Sequence, residues 1–547
     1  MTTTISDPLS SLPAVRVKRA PLEQKVRLSG SMLWRLQRDF YARHGVKAWS
    51  RGLVPHYVTS NSFIAGAYAK VVLGFIRDWT LAGAGSGSAA FDAGHPIYII
   101  ELGAGHGRFS HLFLRKLQEL LGRSSLAGLR FRYVMTDAAE RNVEAWRAHP
   151  WLQPWRDAGI LDFARYEVGQ EERPWLLESG EILDPDLLRN PPIVIANYIF
   201  DSVPTDAFYV KDGLLYETLI DVSCEEELDP DDPHLLSRLQ LSYAQRPVPN
   251  GGYYGDPDLD GILAGYRRRL AESAFLMPVA AVRCLRDLQR LAGGRMLLLS
   301  ADKGFHTEEA LLEGHGEPRL AIHGSGCFSL MVNYHAIGQY CRNQGGRALH
   351  PGHGWTNLCL AAFVWGEPAG GLSETGLAFS QAVEEFGPDD FFSLAQALES
   401  SHETMSLDQL LACLRLSGCD EQVFLRIAPF LMQQVGSASN AMKRDLRRTA
   451  DRVWEQHFPL GESPDVAFHL GTLLYTMEHF PEAMEFFDHS IRLHGCEPGN
   501  SYNMALCHHA LRQSVPALEW LDRTLELAPE FEAARALRIQ IQSAIEP

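Results

Sequence analysis

The chain has no run of 18 or more apolar residues, so no membrane-spanning helix is expected from it. Met1-Thr-Thr-Thr-Ile-Ser-Asp7 has no charged start followed by an apolar core and does not read as a secretory signal. The nine cysteines include no CxxC pair and lie scattered, which predicts free thiols in a reduced, cytoplasmic chain. A basic excess is missing too: 50 Lys and Arg stand against 67 Asp and Glu, a formal net charge of −17. Holding phosphates needs a basic surface, so no nucleic acid partner is expected, whereas a basic partner would suit the charge.

What is present is the balance of a water-soluble globular chain, with 46% hydrophobic and 21% charged residues. At roughly 150 residues per domain, 547 residues predict several units. Residues 1–25 read as a flexible arm and 26–84 as an N-terminal helical region, in which Leu33, Leu36, Phe40 and Tyr41 keep helical spacing. Ala82-Gly-Ala-Gly-Ser-Gly-Ser-Ala-Ala90 reads as a linker.

From 85 to 370 short apolar runs alternate with helical patterns. Five runs read as strands: Ile97 to Leu102, Phe131 to Asp137, Gly159 to Ala164, Pro192 to Ala196 and Arg295 to Ser300. This pattern predicts an α/β, Rossmann-like fold with a parallel sheet covered by helices on both faces. Residues 205–290 form a long insertion, and its Gly251-Gly-Tyr-Tyr-Gly255 piece is a turn or lid candidate.

From about 380 the pattern is helical, with a bundle over 380–460 and repeats with a capping helix over 464–547. Leu470-Gly471 match Met504-Ala505, Ala483 matches Ala517, Phe487 matches Leu521 and Ser490 matches Thr524, each at a spacing of 34. That period, with small residues at the helix crossing, is the signature of tetratricopeptide repeats, which commonly bind protein or peptide partners. Helices that only pad the core or join two copies into a homo-oligomer are the alternative.

Glu101-Leu-Gly103-Ala-Gly105-His-Gly107 sits where the first strand gives way to a helix. A dinucleotide fingerprint would need its third glycine at the position of Arg108, so the spacing here is GxGxG. An acid two residues ahead, glycines at a strand-to-helix turn, then Asp137, Asp162-Phe163 and Asn197 at successive strand ends resemble the class I S-adenosylmethionine methyltransferases. The resemblance implies S-adenosylmethionine as cofactor, Glu101, Gly103, Gly105 and Gly107 around it, and Asp137 on its ribose. It also implies Asp162 and Phe163 at its adenine and Asn197 beside its methionine part. Read singly, Asp137 could equally be a helix cap and Asp162 a turn residue.

Four further segments resemble the MidA-like family, which includes a mitochondrial arginine methyltransferase that assists respiratory complex assembly. They are His56-Tyr57-Val-Thr59-Ser60, Ala196-Asn197-Tyr198-Ile-Phe-Asp201-Ser-Val-Pro204, Asp302-Lys-Gly304 and Ser329-Leu-Met-Val-Asn333-Tyr-His335. His56, Ser62 and Tyr198 stand where that family has acids, so arginine is not carried over as the acceptor. Tyr198, Asp201, His56 and His335 are the candidate catalytic residues, and Tyr57, Asn61 and Asn333 the candidate substrate contacts. Tyr57 and Tyr198 read equally well as packed aromatics. His350-Pro-Gly-His353 and Cys507-His508-His509 hold ligand types without a matching carboxylate, and no metal is expected.

Three functions follow as expectations: a methyltransferase acting on a protein or peptide recruited by the repeats, a small-molecule methyltransferase, or an assembly factor that keeps the fold without transfer.

Overall fold

The computed structural model describes residues 20–82, 91–169, 173–224, 232, 235–312, 318, 320–323, 326–461 and 464–545. Residues 1–19 of the expected arm and the linker beyond Ala82 lie outside the described residues.

The α/β unit is built on a seven-stranded sheet: β1 (Ile97–Leu102), β2 (Phe131–Asp137), β3 (Leu161–Arg165), β4 (Ile193–Asn197), β5 (Met296–Asp302), β6 (Arg347–Leu349) and β7 (Cys359–Trp365). The spatial order is β6-β7-β5-β4-β1-β2-β3. The five strands read from sequence are parallel to one another. β7 runs antiparallel between β5 and β6, so the sheet is mixed at that edge rather than wholly parallel. Strand order reverses between β1 and β4, which opens a crevice at their carboxyl ends.

Every residue of β1 is buried, because its alternate side chains enter two separate cores. Ile97 and Ile99 pack under α2 (Ser62–Ala82) and α3 (Arg108–Gly122), whereas Tyr98, Ile100 and Leu102 face the other layer. The Rossmann-like class with both faces covered is therefore the observed one.

That other layer is the insertion. Asp206–Lys211, Leu214–Cys224, Leu239–Pro247 and Glu272–Met277 form an antiparallel sheet, joined by Ala20–Arg27. The arm read from sequence is thus a strand from Ala20 on, its edge hydrogen bonds satisfied along Leu219 to Cys224. Phe208, Val210 and Phe275 face the main core. Ala207, Ile220 and Val222 face outward onto Trp34 of α1 (Met32–His44) and onto Phe328. The insertion is therefore a scaffold that carries α1, and its tyrosines are not a lid. Tyr254 donates to Asp206 at 2.8 Å, and the Arg27 guanidinium lies 4.6 Å over the Tyr253 ring.

The C-terminal region is all-helical. Pro388–Glu399, Leu407–Leu416, Glu421–Val435 and Asn440–Gln456 lead into the pairs Val466–Thr476/Phe480–His494 and Pro498–Ala510/Ser514–Leu527, followed by Glu532–Ile545. The residues matched at a spacing of 34 sit at the crossings of these pairs, and all are buried. A Cβ on Gly471 would lie 2.7 Å from the Phe487 ring. Gly471→Val is expected to destabilise the repeats by about 1–3 kcal/mol through overpacking. Thermal denaturation followed by circular dichroism measures this, and an unchanged melt would mean that Phe487 yields.

Candidate active site

A cavity of about 410 Å³ lies at the carboxyl ends of β1 to β5, roofed by α1 and the segment up to Ser60. Its floor is the turn after β1. Gly103, Gly105 and Gly107 all have left-handed φ, +63°, +56° and +85°. A side chain at Gly103 would strike Ile199 at 2.7 Å, and one at Gly105 would meet the Trp49 ring at 3.0 Å. Only glycine fits both the conformation and the space there. Gly103 and Gly105 line the cavity, whereas Gly107 lies behind it against Met135 and Trp146, where it caps α3.

Asp137 ends β2 at the rim. Its two oxygens accept from the backbone N–H groups of Gly105 (3.1 Å) and Ala139 (2.8 Å), tying the glycine turn to the next strand. Burial pushes its carboxyl above the ordinary range, while the N–H groups of Ala139 and Gly105 favour the ionised form. Across the crevice, Asn197 ends β4. Its oxygen accepts from Tyr68 at 2.7 Å, and its buried Nδ2 has no partner among the described residues. A buried amide donor left unpaired is costly, so this one invites a ligand acceptor.

Glu101 forms part of the wall, but its Oε2 is occupied, accepting from Ser110 and, at 2.7 Å, from Tyr133. Burial pushes its carboxyl up to about 7 against those two hydrogen bonds. An acid raised in the folded state binds more protons there than when unfolded. Its contribution to stability is therefore full below the unfolded value and is lost as pH rises through about 7. The loss is on the order of 3 kcal/mol. Glu101→Gln should flatten the fall in denaturation midpoint between pH 5 and 8; an unaltered slope would refute the assignment.

His56, Tyr198 and Asp201 also line the cavity. His56 Nε2 lies 3.3 Å from the Arg108 guanidinium and its ring packs edge-on against His106. Tyr198 adopts a left-handed φ of +49° immediately after β4, which turns the chain across the crevice.

The structure places six other candidates away from the cavity. Asp162 is only 2% exposed and accepts from the backbone of Phe163, Glu178 and Ser179, so it clamps a turn. Phe163 is fully buried in the core. Tyr57 donates to Asp420 of the helical region at 2.9 Å. Asn61 caps α2, accepting from Phe63 and Ile64. Asn333 caps the helix Tyr334–Asn343. His335, the remaining catalytic candidate, lies behind the sheet and bonds Tyr266 at 2.9 Å. In each case a local backbone or packing demand claims the side chain.

In their place the cavity gains Arg165, Tyr166, Glu167 and Val168, because β3 runs to Arg165 before the chain reaches the crevice. It also gains Trp34, Arg38, Tyr41 and Trp49 from the N-terminal helical region. The density of aromatics between 34 and 49 was the available signal. Arg38 and Glu167 lie 3.5 Å apart. Of the metal-ligand types, Cys507 is buried in the helical core and His508 pairs with Gln513. Among the described residues no three His, Cys, Asp or Glu group to hold a metal, and no helix is long and apolar enough to cross a membrane.

No family model matches the chain. Over 65 residues it is 38% identical to intraflagellar transport protein 70A of Danio rerio and 34% to that of Xenopus tropicalis. In each case 12% of this chain is covered and only 10% of the relative's length. Among solved structures it is similar to a Burkholderia thailandensis protein bound to S-adenosyl-homocysteine: 15% identity, 59% of this chain and 73% of the other, TM-score 0.36. It is also similar to magnesium protoporphyrin IX methyltransferase from Synechocystis with bound S-adenosyl-homocysteine: 11% identity, 60% and 97% coverage, TM-score 0.25. A third is a TPR protein with an unusual peptide-binding site: 16% identity, 31% and 83% coverage, TM-score 0.23. Likeness this distant leaves the chemistry to be argued from the cavity.

Proposed function

We propose that the chain is a class I S-adenosylmethionine-dependent methyltransferase whose acceptor is a protein or peptide brought by the helical repeats. The observation that carries this reading is one crevice holding a left-handed glycine turn, a carboxylate at the end of the next strand and a buried amide with an unpaired donor. A ribose, an adenine and an amino-acid end ask for that set of donors and acceptors. Asp137 would hold the ribose hydroxyls, Arg165 to Val168 would flank the adenine, and Asn197 with the Gly103–Gly105 turn would hold the amino-acid end. S-adenosylmethionine, when bound, supplies a methyl group already activated on a sulfonium. The protein then contributes alignment and exclusion of water, for which the roof of Trp34, Tyr41 and Trp49 is suited.

The repeats share one core with the helix Glu421–Val435, whose Glu421 reaches Arg108 beside the cavity, so an acceptor held on the repeats would be fixed relative to the crevice. The cavity's volume of about 410 Å³ is that of a ligand pocket, which favours a second reading, a small-molecule acceptor. Calorimetry tests the cofactor: the purified chain should bind S-adenosylhomocysteine, and no binding would sink both readings. Methyl-tritiated S-adenosylmethionine added with a cell extract separates them, since label should enter the protein fraction rather than the small-molecule fraction.

A further inference from the structure

Two carboxyls meet where β4 and β5 end. Asp201 opens onto the cavity and is 9% exposed; Asp302, the last residue of β5, lies behind it at 1%. The backbone N–H of Asp201 donates to Asp302 Oδ2 at 3.1 Å, which sets the two side chains next to each other. Ser202 Oγ donates to Asp201 at 2.7 Å, and the Lys303 N–H donates to Asp302 at 2.8 Å.

Among the described residues neither carboxyl has a cation within ion-pair distance. Tyr68 of α2, Tyr334 and Cys359 face Asp302 from the neighbouring elements, and burial holds all three neutral. Tyr41 of α1 and Cys327 face Asp201 in the same neutral state. Tyr198 lies near both and is raised by burial as well. Lys303, exposed at the mouth, acts on Asp201 and favours its ionised form. Two carboxylates pressed together out of water cannot both ionise, so such a pair retains one proton at neutral pH.

We propose that Asp201 is the general base of the transfer, with Asp302 as a positioning residue that shares one proton with it. The acceptor is then one whose attacking atom carries a proton it must lose, an alcohol, a phenol or an ammonium group. For a hydroxyl, a bond forms from the acceptor oxygen to the methyl carbon as the carbon–sulfur bond breaks and its electron pair stays on sulfur. The hydroxyl proton passes to the Asp201 carboxylate, leaving a methyl ether, a neutral thioether and a protonated carboxyl. This assignment rests on the methyltransferase reading above.

The sign of the pH dependence follows. Burial pushes Asp201 up to about 6 and holds Asp302 higher. Transfer should therefore rise as pH passes through about 6 and level off above it. The full-length protein is loaded with methyl-tritiated S-adenosylmethionine and label transfer to a cell extract is followed at pH 5 to 9. Asp201→Asn should lose about 10²–10⁴-fold of the plateau rate. Asp302→Asn, which keeps the acceptor for the Asp201 N–H but removes the carboxyl proton that favours ionised Asp201, should move the rise to higher pH. It should also remove one protonated-carboxyl band from the infrared spectrum at pH 7, a readout that needs no acceptor. S-adenosylhomocysteine should bind both variants as it binds wild type, and its failure to bind wild type would strike the cofactor reading instead. An unshifted profile and an unchanged band in Asp302→Asn would overturn the pair. Wild-type rates in Asp201→Asn, or no transfer by wild type that binds S-adenosylhomocysteine, would overturn the base.

Discussion

Replacing Arg108 by alanine is expected to destabilise the protein by about 3–5 kcal/mol. Arg108 is the first residue of α3, directly after the glycine turn, and is 3% exposed. Its guanidinium lies 3.1 Å from Glu421 of the helical region and donates to the Phe458 carbonyl at 3.4 Å. Glu421 in turn meets His457 Nδ1 at 2.6 Å. Around this network His149 stacks on Phe458 with ring centres 4.0 Å apart. Truncation would leave the buried Glu421 carboxylate with His457 but without the Arg108 guanidinium, and removing one partner of a buried ion pair is strongly destabilising. Lysine should recover little, since a point charge cannot span Glu421, Phe458 and His56 together. The double variant Arg108→Met/Glu421→Leu should lose less than either single change, which a double-mutant cycle by urea denaturation measures. Near-wild-type stability in Arg108→Ala would mean that the two regions are held by apolar packing alone.

That residue also shows how far the sequence could be read. Strand identity, the glycine turn and the 34-residue period were legible because each is written in local spacing. Arg108 was legible only as the residue that breaks a dinucleotide fingerprint. Its partner lies in another helical unit, and no local pattern links them. The same limit explains Asp162: an acid in a strand looks like a ligand contact until a turn at 176–179 folds over it and takes both oxygens. β3 was read one residue short, and that shifted the rim from Arg165–Val168 onto Asp162–Phe163. The insertion shows in the sequence only as a long stretch whose Gly251–Gly255 piece is a turn or lid candidate. The structure makes it a second sheet, whose edge is closed by Ala20–Arg27 from far away in the chain.

The second large effect is expected at Asp137. Asp137→Ala should weaken S-adenosylhomocysteine binding by about 10²–10⁴-fold, the loss of two hydrogen bonds to a charged acceptor at about 1.5–3 kcal/mol each. The carboxylate serves two ends. It holds the N–H groups of Gly105 and Ala139, and it would present its remaining lone pairs to the ribose. Asp137→Asn separates the two tasks. An amide oxygen can still accept from one of the backbone N–H groups, so the turn should survive while the charge is lost. If binding falls in Asp137→Ala but is nearly intact in Asp137→Asn, the residue serves the loop alone. If both variants lose affinity while their melting temperatures stay within a few degrees of wild type, the carboxylate itself is the ligand contact. The glycine turn then reads as a device that brings the backbone close enough for Asp137 to be shared between loop and cofactor. That sharing also accounts for a carboxyl kept ionisable in a buried position, since two N–H groups offset its desolvation.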